Sequence, residues 1–415
     1  MAQAYSFLIA GGGIAGLSAS IALSMQGHTI KLVERQAQFT EVGAGLQISP
    51  NAWRCLRAWG LEEQLKEYCS LPSALVARRL QTGRKLAQIP LGARCIERYG
   101  APYATLQRAD LHRILLERAE QSSLFTCATG FEAVSATVQE GMVVADVHGP
   151  LDWKGQAQAD ALIAADGVHS RLSAQLFAHA PAMPTGMTAF RGMVKQSALP
   201  EQLRSNTICA WLGKQMHVVT YPVLRGEWLN VVMIVQDRLL MRPSQRGPAD
   251  MPATLQSLTR TSPIYQELHD VFLAIEAHGQ SMQGTKWTEW PLSGRKPVRS
   301  PAELVADRAV LIGDAAHPMV PFLAQGAGMA IEDAEQLKNS LALHDKELQA
   351  ALAHFAQMRA ARCAKVQRQS LRNGKIFHMT GLPAFARDRA MQWFPGAAMD
   401  KSWLYAHGPQ PVNMA

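Results

Sequence analysis

The chain has 415 residues, more than one hydrophobic core usually carries, so at least two domains are expected. Hydrophobic residues at 48%, charged residues at 18%, 31 glycines and 22 prolines exclude a disordered, collagen-like or coiled-coil chain. The net charge of +8 is spread thinly, without long runs of one sign; it gives nucleic-acid binding no support and suits anionic small molecules. Six cysteines lie far apart, with no pair at the short spacing of a metal or redox motif; a reduced, cytoplasmic chain without a bound metal is expected.

Tyr5-Ser-Phe-Leu-Ile-Ala10 is an apolar run of strand length. Gly11 to Gly16 breaks it, and Leu17, Ile21 and Leu23 resume in an alanine-rich, helix-favouring stretch. Tyr5 to Met25 is about as long as a membrane span, yet glycines crowd its start and no basic residue leads it, so neither a span nor a signal peptide is expected. His28-Thr-Ile-Lys-Leu-Val-Glu34 is β-branched and apolar, so the first 34 residues read as one βαβ unit. Ala161-Leu-Ile-Ala-Ala-Asp166 and Ala309-Val-Leu-Ile-Gly313 repeat the buried parallel-strand pattern and are expected in the same sheet.

Between about 185 and 290 the texture changes to alternating strands such as Met216-His-Val-Val-Thr-Tyr221 and Trp228-Leu-Asn-Val-Val-Met-Ile-Val235, which predicts a largely antiparallel second domain. From Gly326 the pattern is helical through Asn373, followed by a proline-containing tail. The fold class is α/β. The expected division is a Rossmann-like dinucleotide domain from 1–180 and 295–345, a substrate domain from 181–294 and a C-terminal helical segment from 346–415.

Gly11-Gly-Gly-Ile-Ala-Gly16 fits G-x-G-x-x-G. Gly11 permits the tight turn, Gly13 lets a pyrophosphate approach the backbone, and Gly16 lets helix and strand pack closely. The helix start offers unpaired N–H groups to the phosphates through Ile14 and Ala15. Glu34, 18 residues after Gly16, stands where a carboxylate accepts hydrogen bonds from a ribose.

Two further segments, Ala165-Asp-Gly-Val-His-Ser170 and Val310-Leu-Ile-Gly-Asp-Ala-Ala-His-Pro318, resemble the signatures of the class A flavoprotein monooxygenases, the single-component aromatic hydroxylases. Together with the glycine turn, Gly43-Ala-Gly-Leu-Gln47, Gln107-Arg108 and Gln325-Gly-Ala-Gly-Met-Ala-Ile-Glu-Asp333, the likeness runs from residue 5 to about 345. Within the family it is strongest to the salicylate, 3-hydroxybenzoate and 6-hydroxynicotinate hydroxylases. The resemblance implies the p-hydroxybenzoate hydroxylase type of fold, FAD as resident cofactor, and NADH or NADPH and O2 as co-substrates. It also implies a C4a-hydroperoxide of the flavin that hydroxylates a hydroxylated aromatic or N-heteroaromatic carboxylic acid, with or without loss of CO2.

By the same resemblance Asp314 accepts a hydrogen bond from the ribityl chain, and Gly313 and Pro318 shape the backbone beside the flavin. Gln325, Gly326, Ala327 and Gly328 bring N–H groups to the pyrimidine side of the ring, where negative charge gathers on reduction. Arg108, Arg35 and Asp166 are expected around the rest of FAD, and Gln47 and His317 beside both flavin and substrate. The family pattern sets an arginine three residues after Ser170; here that residue is Ser173, with Arg171 two places earlier. Only one glycine fingerprint is present, so the nicotinamide is expected as a transient visitor.

On a strand, His217, Val219 and Tyr221 share a face. On the residues alone His217 and Tyr221 read equally as core side chains; the resemblance, through the His-x-x-x-Tyr-Pro context of the related hydroxybenzoate and hydroxynicotinate enzymes, implies His217 as the base, a task a neutral imidazole suits, with Tyr221 hydrogen-bonding the substrate. Competing readings are a same-fold flavoprotein with other chemistry, such as a dehydrogenase, reductase or halogenase, and a flavin-binding protein without turnover. A homodimer is the expectation carried over from relatives, with Trp403 to Tyr405 as interface candidates.

Overall fold

Short apolar strands followed by glycine or aspartate pack side by side only when both faces are covered. The computed structural model, which describes residues 3–39, 45–240, 264–279 and 286–409, shows this arrangement. A six-stranded sheet runs in the order Val305–Ala306, Ala309–Leu311, Ala161–Ala164, Ser6–Ala10, Thr29–Glu34, Phe125–Thr129. Apart from the antiparallel edge pair Val305–Ala306 and Ala309–Leu311, its neighbours are parallel. The βαβ unit and the shared sheet of the three apolar runs are therefore as the sequence predicts. Helix Ile14–Ser24 packs on it with all but two of its residues buried, and helix Gly326–Leu343 lies against that helix. A separate three-stranded antiparallel sheet is formed by Glu132–Gln139, Met142–His148 and Lys154–Ala159.

The second large sheet has seven strands, in the order Trp287–Gly294, Met183–Lys195, Trp228–Gln236, Met216–Val223, Thr207–Gly213, Ala74–Arg79, Lys85–Pro90. Its middle is antiparallel, as the alternation in the sequence indicates. Two of its strands come from a different place. Ala74–Arg79 pairs in parallel with Thr207–Gly213, and Lys85–Pro90 completes the edge, although 74–90 lies inside the range expected for the dinucleotide domain. The physical reason is that Ala74, Val76 and Leu80 share one core with Trp211 and Val218 of this sheet and Phe272 of the helix Gln266–His278.

The C-terminal helices also divide. Leu348–Phe377 packs on Gly326–Leu343, beside the first sheet. Gly381–Trp393 and Pro395–Met399 instead cover the edge strand of the second sheet, where Met391 and Met399 pack on Ala77, Leu86 and Leu212 and Arg79 ion-pairs with Asp388. Leu404 and Tyr405, expected at an interface, are buried within the chain: the Tyr405 ring meets Tyr99 and Tyr103, and its carbonyl accepts from Arg54.

An ion network lies under the first sheet. Arg359 donates from Nε to Asp333 Oδ1 at 2.7 Å and from Nη1 to Glu332 Oε2 at 2.8 Å, with all three side chains about 1% exposed. Arg362 adds a bond to Glu332 at 2.6 Å. Burial alone would push the Glu332 carboxyl up; hydrogen bonds from Arg362 and the charge of Arg359 hold it down at about 2. Removing the central cation leaves two buried carboxylates uncompensated. Arg359→Ala is expected to lose about 3–5 kcal/mol of stability in a denaturant titration, with the loss shrinking as acid protonates the carboxylates.

Candidate active site

Three loops meet at the carboxyl ends of the adjacent strands Ser6–Ala10, Ala161–Ala164 and Ala309–Leu311, where open α/β sheets bind ligands. At Gly11 φ is +105°, and a Cβ there would lie 2.5 Å from the carbonyl oxygen of Ala165. A Cβ on Gly16 would lie 1.9 Å from the Gly11 carbonyl oxygen, so only glycine closes this turn. Gly313 reaches the same place from the third strand; its Cβ would lie 2.7 Å from that of Ala15.

The residues fit an adenine dinucleotide. Gly13 caps helix Ile14–Ser24 without any side-chain hydrogen bond, and a Cβ on it would meet no atom within 4 Å, so the helix start opens onto free space. Glu34 ends its strand with Oε2 accepting from Gly12 N at 2.8 Å, which holds the carboxylate at the turn where a ribose would lie. Arg35 is exposed and ion-pairs with Glu132 at 3.6 Å, at the rim of this end.

Asp314 is solvent-accessible although protein surrounds it closely. Burial raises its carboxyl, against the opposing charges of His317, Arg108 and Arg295. Arg108 opens helix Arg108–Glu120 at this cleft. Asp166 accepts from Arg171 N with Oδ2 at 3.0 Å, while its buried Oδ1 has no partner in the protein. An orphaned carboxylate oxygen, an uncapped helix and an accessible aspartate around one cleft are what a polyhydroxylated, phosphorylated cofactor requires.

Farther along the cleft, Pro318 is buried and its carbonyl accepts from Gln367 at 3.1 Å. Gln325 caps the 18-residue helix Gly326–Leu343; its side chain is taken up by Ser49 and Asn51, so what it offers outward is the backbone of Gly326, Ala327 and Gly328. Gln47 accepts from Tyr103 Oη at 2.8 Å, on a strand opposite Ala104–Gln107. Gly43 and Ala44 lie outside the described residues.

The second sheet turns one face to this cleft. In register across its strands, Thr288, Arg191, Val232, Val219 and Ala210 form a row that is half-buried, between rows that are mostly buried. This is a shallow apolar trough holding one cation. Tyr221 stands on one wall beside Gly45 and Asn230, and the charge of Arg191 reaches it. His217 stands on the other wall, its ring against Phe322 and Phe377 at 5.2 Å, with Nδ1 2.9 Å from Nε2 of His378. Burial, then the neighbouring His378, pull His217 well below its ordinary value, so it rests neutral.

His317 does not join this pocket. Its Nε2 lies 2.7 Å from Asp333 Oδ2, both side chains about 1% exposed, and Asp333 raises it well above the ordinary histidine value in spite of burial. Asp333 Oδ2 also accepts from Gly313 N at 2.8 Å, so His317 belongs to the ion network that holds the turn. Cys363 completes a set of metal-ligand types there, but Arg359 already supplies the positive charge. A cavity of about 590 Å³ beside Lys66, Gln196, Arg204 and Arg225 shares no residue with the cleft.

Three participants escaped the sequence reading. Arg191 was signalled only by its place on the predicted antiparallel face; His378 and Arg295 come from remote segments, and no local pattern points to either.

Comparison with known proteins agrees with this geometry. The family model described as FAD binding domain matches residues 4–370. The chain is 32% identical to 3-hydroxybenzoate 6-hydroxylase of Polaromonas naphthalenivorans over 92% of its own length and 90% of the relative's. It is 31% identical to 6-hydroxynicotinate 3-monooxygenase of Pseudomonas fluorescens, over 89% and 91%. Among solved structures, a salicylate hydroxylase substrate complex superposes with a TM-score of 0.74 at 24% identity, covering 99% of both chains. Among the described residues no helix is long and apolar enough to cross a membrane. With a glycine turn, an accessible Asp314 and a facing apolar trough in one cleft, the chain belongs to the FAD-binding-domain family, among its flavin-dependent aromatic hydroxylases.

Proposed function

We propose that the protein uses NADH, or NADPH, and O2 to hydroxylate a ring carrying both a hydroxyl and a carboxylate, of the hydroxybenzoate or hydroxynicotinate class. The observation that carries this reading is the trough, where Arg191 stands between Tyr221 and His217 with no carboxylate partner among the described residues. Its guanidinium carbon lies 5.7 Å from the centre of the Trp290 ring. A half-buried guanidinium on an apolar floor is a ready partner for a substrate carboxylate, which it can bind bidentately. The names of the relatives supply the same substrate class.

FAD, when bound, supplies electron transfer from the nicotinamide and the activation of O2. The chain's own residues do the rest. Val219 and Val232 pack the ring, Arg191 fixes its carboxylate, and Tyr221 Oη hydrogen-bonds the bound acid. His217 takes the ring hydroxyl's proton at Nε2, because Nδ1 is held by His378. The resulting phenolate is richer in electrons and so the better acceptor of electrophilic oxygen. Phe322 and Phe377 exclude water on the His217 side. Should oxygen enter at the carbon bearing the carboxylate, CO2 leaves. Six free cysteines support a cytoplasmic setting, and exposed Leu382, Phe385, Trp393 and Phe394 offer an apolar surface for a homodimer.

The decisive experiment is NADH consumption with a panel of hydroxybenzoates, hydroxynicotinates and simple phenols, with products read by mass. Strong stimulation by the acids and a product one oxygen heavier, with or without CO2 loss, is expected; a flavin-loaded protein indifferent to every aromatic would sink the reading. Arg191→Ala should raise KM for the acid by about tenfold or more while leaving that for the phenol lacking the carboxylate unchanged.

Asp314→Ala should fold but bind flavin at least tenfold more weakly, seen as loss of yellow colour on gel filtration. His217→Ala should leave flavin reduction intact, cut hydroxylation about 100-fold or more and raise H2O2 release. The pH profile follows from the lowered His217 value. Its neutral, proton-accepting form persists as pH falls through 6.5, and coupled turnover should decline only at lower pH, as acid charges His217 and, near 4, His378.

A further inference from the structure

The segment that begins at Asp166 lacks an arginine where the resemblance sets one: position 173 is serine, and Arg171 turns outward to Glu132, 3.4 Å away. An arginine from a remote segment nevertheless reaches Ser173. Arg295, just after the last strand of the second sheet, donates from Nη1 to Ser173 Oγ at 2.7 Å and to His179 Nδ1 at 2.6 Å. From Nη2 it donates to the carbonyls of Ala315 and, at 3.5 Å, Asp314. His179 accepts because burial and the Arg295 charge keep its ring neutral. One guanidinium thus spans the helix start Arg171–Phe177, the turn Gly313–Ala316 and the strand returning from the second sheet.

We infer that Arg295 is the positioning residue of the flavin site, standing in from a remote segment for the arginine absent at 173 and clasping the Asp166 and Asp314 loops into cofactor-binding geometry. Asp166 and Asp314 are the first two charges that Arg295 faces, with Glu303 beyond them. Asp314 in turn faces His317, Arg108, Arg295 and Asp333. Removing Arg295 therefore both frees two loops and withdraws a cation from a carboxylate that burial already makes hard to ionise. The inference rests on the flavin site alone and stands whatever ring the enzyme hydroxylates.

Ser173 Oγ lies 2.7 Å from Arg295 Nη1, so returning an arginine to 173 while removing the one at 295 tests the exchange. The test compares Arg295→Ala, Arg295→Lys and the double variant Ser173→Arg/Arg295→Ala, each reconstituted with FAD and followed by flavin fluorescence across pH. Arg295→Ala should bind FAD at least tenfold more weakly and release it on acidification at a higher pH than the wild type, because Asp314 then protonates more readily. The double variant should recover most of the affinity and the original pH of release. Arg295→Lys should recover little, because one ammonium cannot bridge Ser173 and two carbonyls. Wild-type FAD affinity in Arg295→Ala, or a double variant no better than the single, would overturn the inference. Failure of the substrate panel would leave these readouts untouched.

Discussion

Burial of Asp333 between two cations and a backbone N–H sets the level of everything at the flavin end of the cleft. Its Oδ2 takes the Gly313 N–H and His317, and its Oδ1 takes Arg359. A buried carboxylate is costly unless its attractions are well aligned, and here they are, which leaves the Gly313 turn little freedom to move. That turn carries Asp314 into the cleft with φ of +58° at Gly313. The same turn touches Ala15 of the glycine loop, so ion network, cofactor loop and first helix form one rigid unit.

The helix Leu348–Phe377 connects that unit to the chemistry of the trough. Arg359 lies near its middle and His378 caps its end, so the distance between them is about 28 Å of nearly rigid rod. Its middle fixes the carboxylates below the glycine turn, and its end holds Nδ1 of His217. His217 and the Gly313 turn are thus aligned by a single element outside both large sheets. Arg295 acts similarly on the opposite side, where the chain returns from the second sheet.

What the sequence made legible was local. Gly11 to Gly16, Glu34 and the apolar strands ending at Asp166 and Gly313 are short patterns whose physics is complete within a few residues, and each stands where the patterns put it. The alternation at Met216–Val223 likewise gave the shared face of His217, Val219 and Tyr221. Illegible were pairings made across long separations. Ala74–Arg79 has an ordinary strand pattern that cannot say which sheet it joins, and its parallel partner is Thr207–Gly213. His317 sits in a cofactor motif, but its ring direction depends on Asp333 in the next helix. His378 and Arg295 meet their partners 161 and 122 residues away, with nothing in their own neighbourhoods to announce it.

The interleaving of the two sheets has a consequence for biosynthesis. Ala74–Arg79 and Lys85–Pro90 leave the ribosome early and can pair with each other, but the other edge of Ala74–Arg79 stays open until Thr207–Gly213 emerges more than a hundred residues later. The dinucleotide sheet also waits, since Ala309–Leu311 and Asp333 come late. His378, near the end, completes the trough last of all. A nascent chain would therefore complete the Gly313 turn before His378 reaches His217, and a ribosome stalled in the final helices would yield a chain whose glycine turn is formed while the His217 wall of the trough is still open.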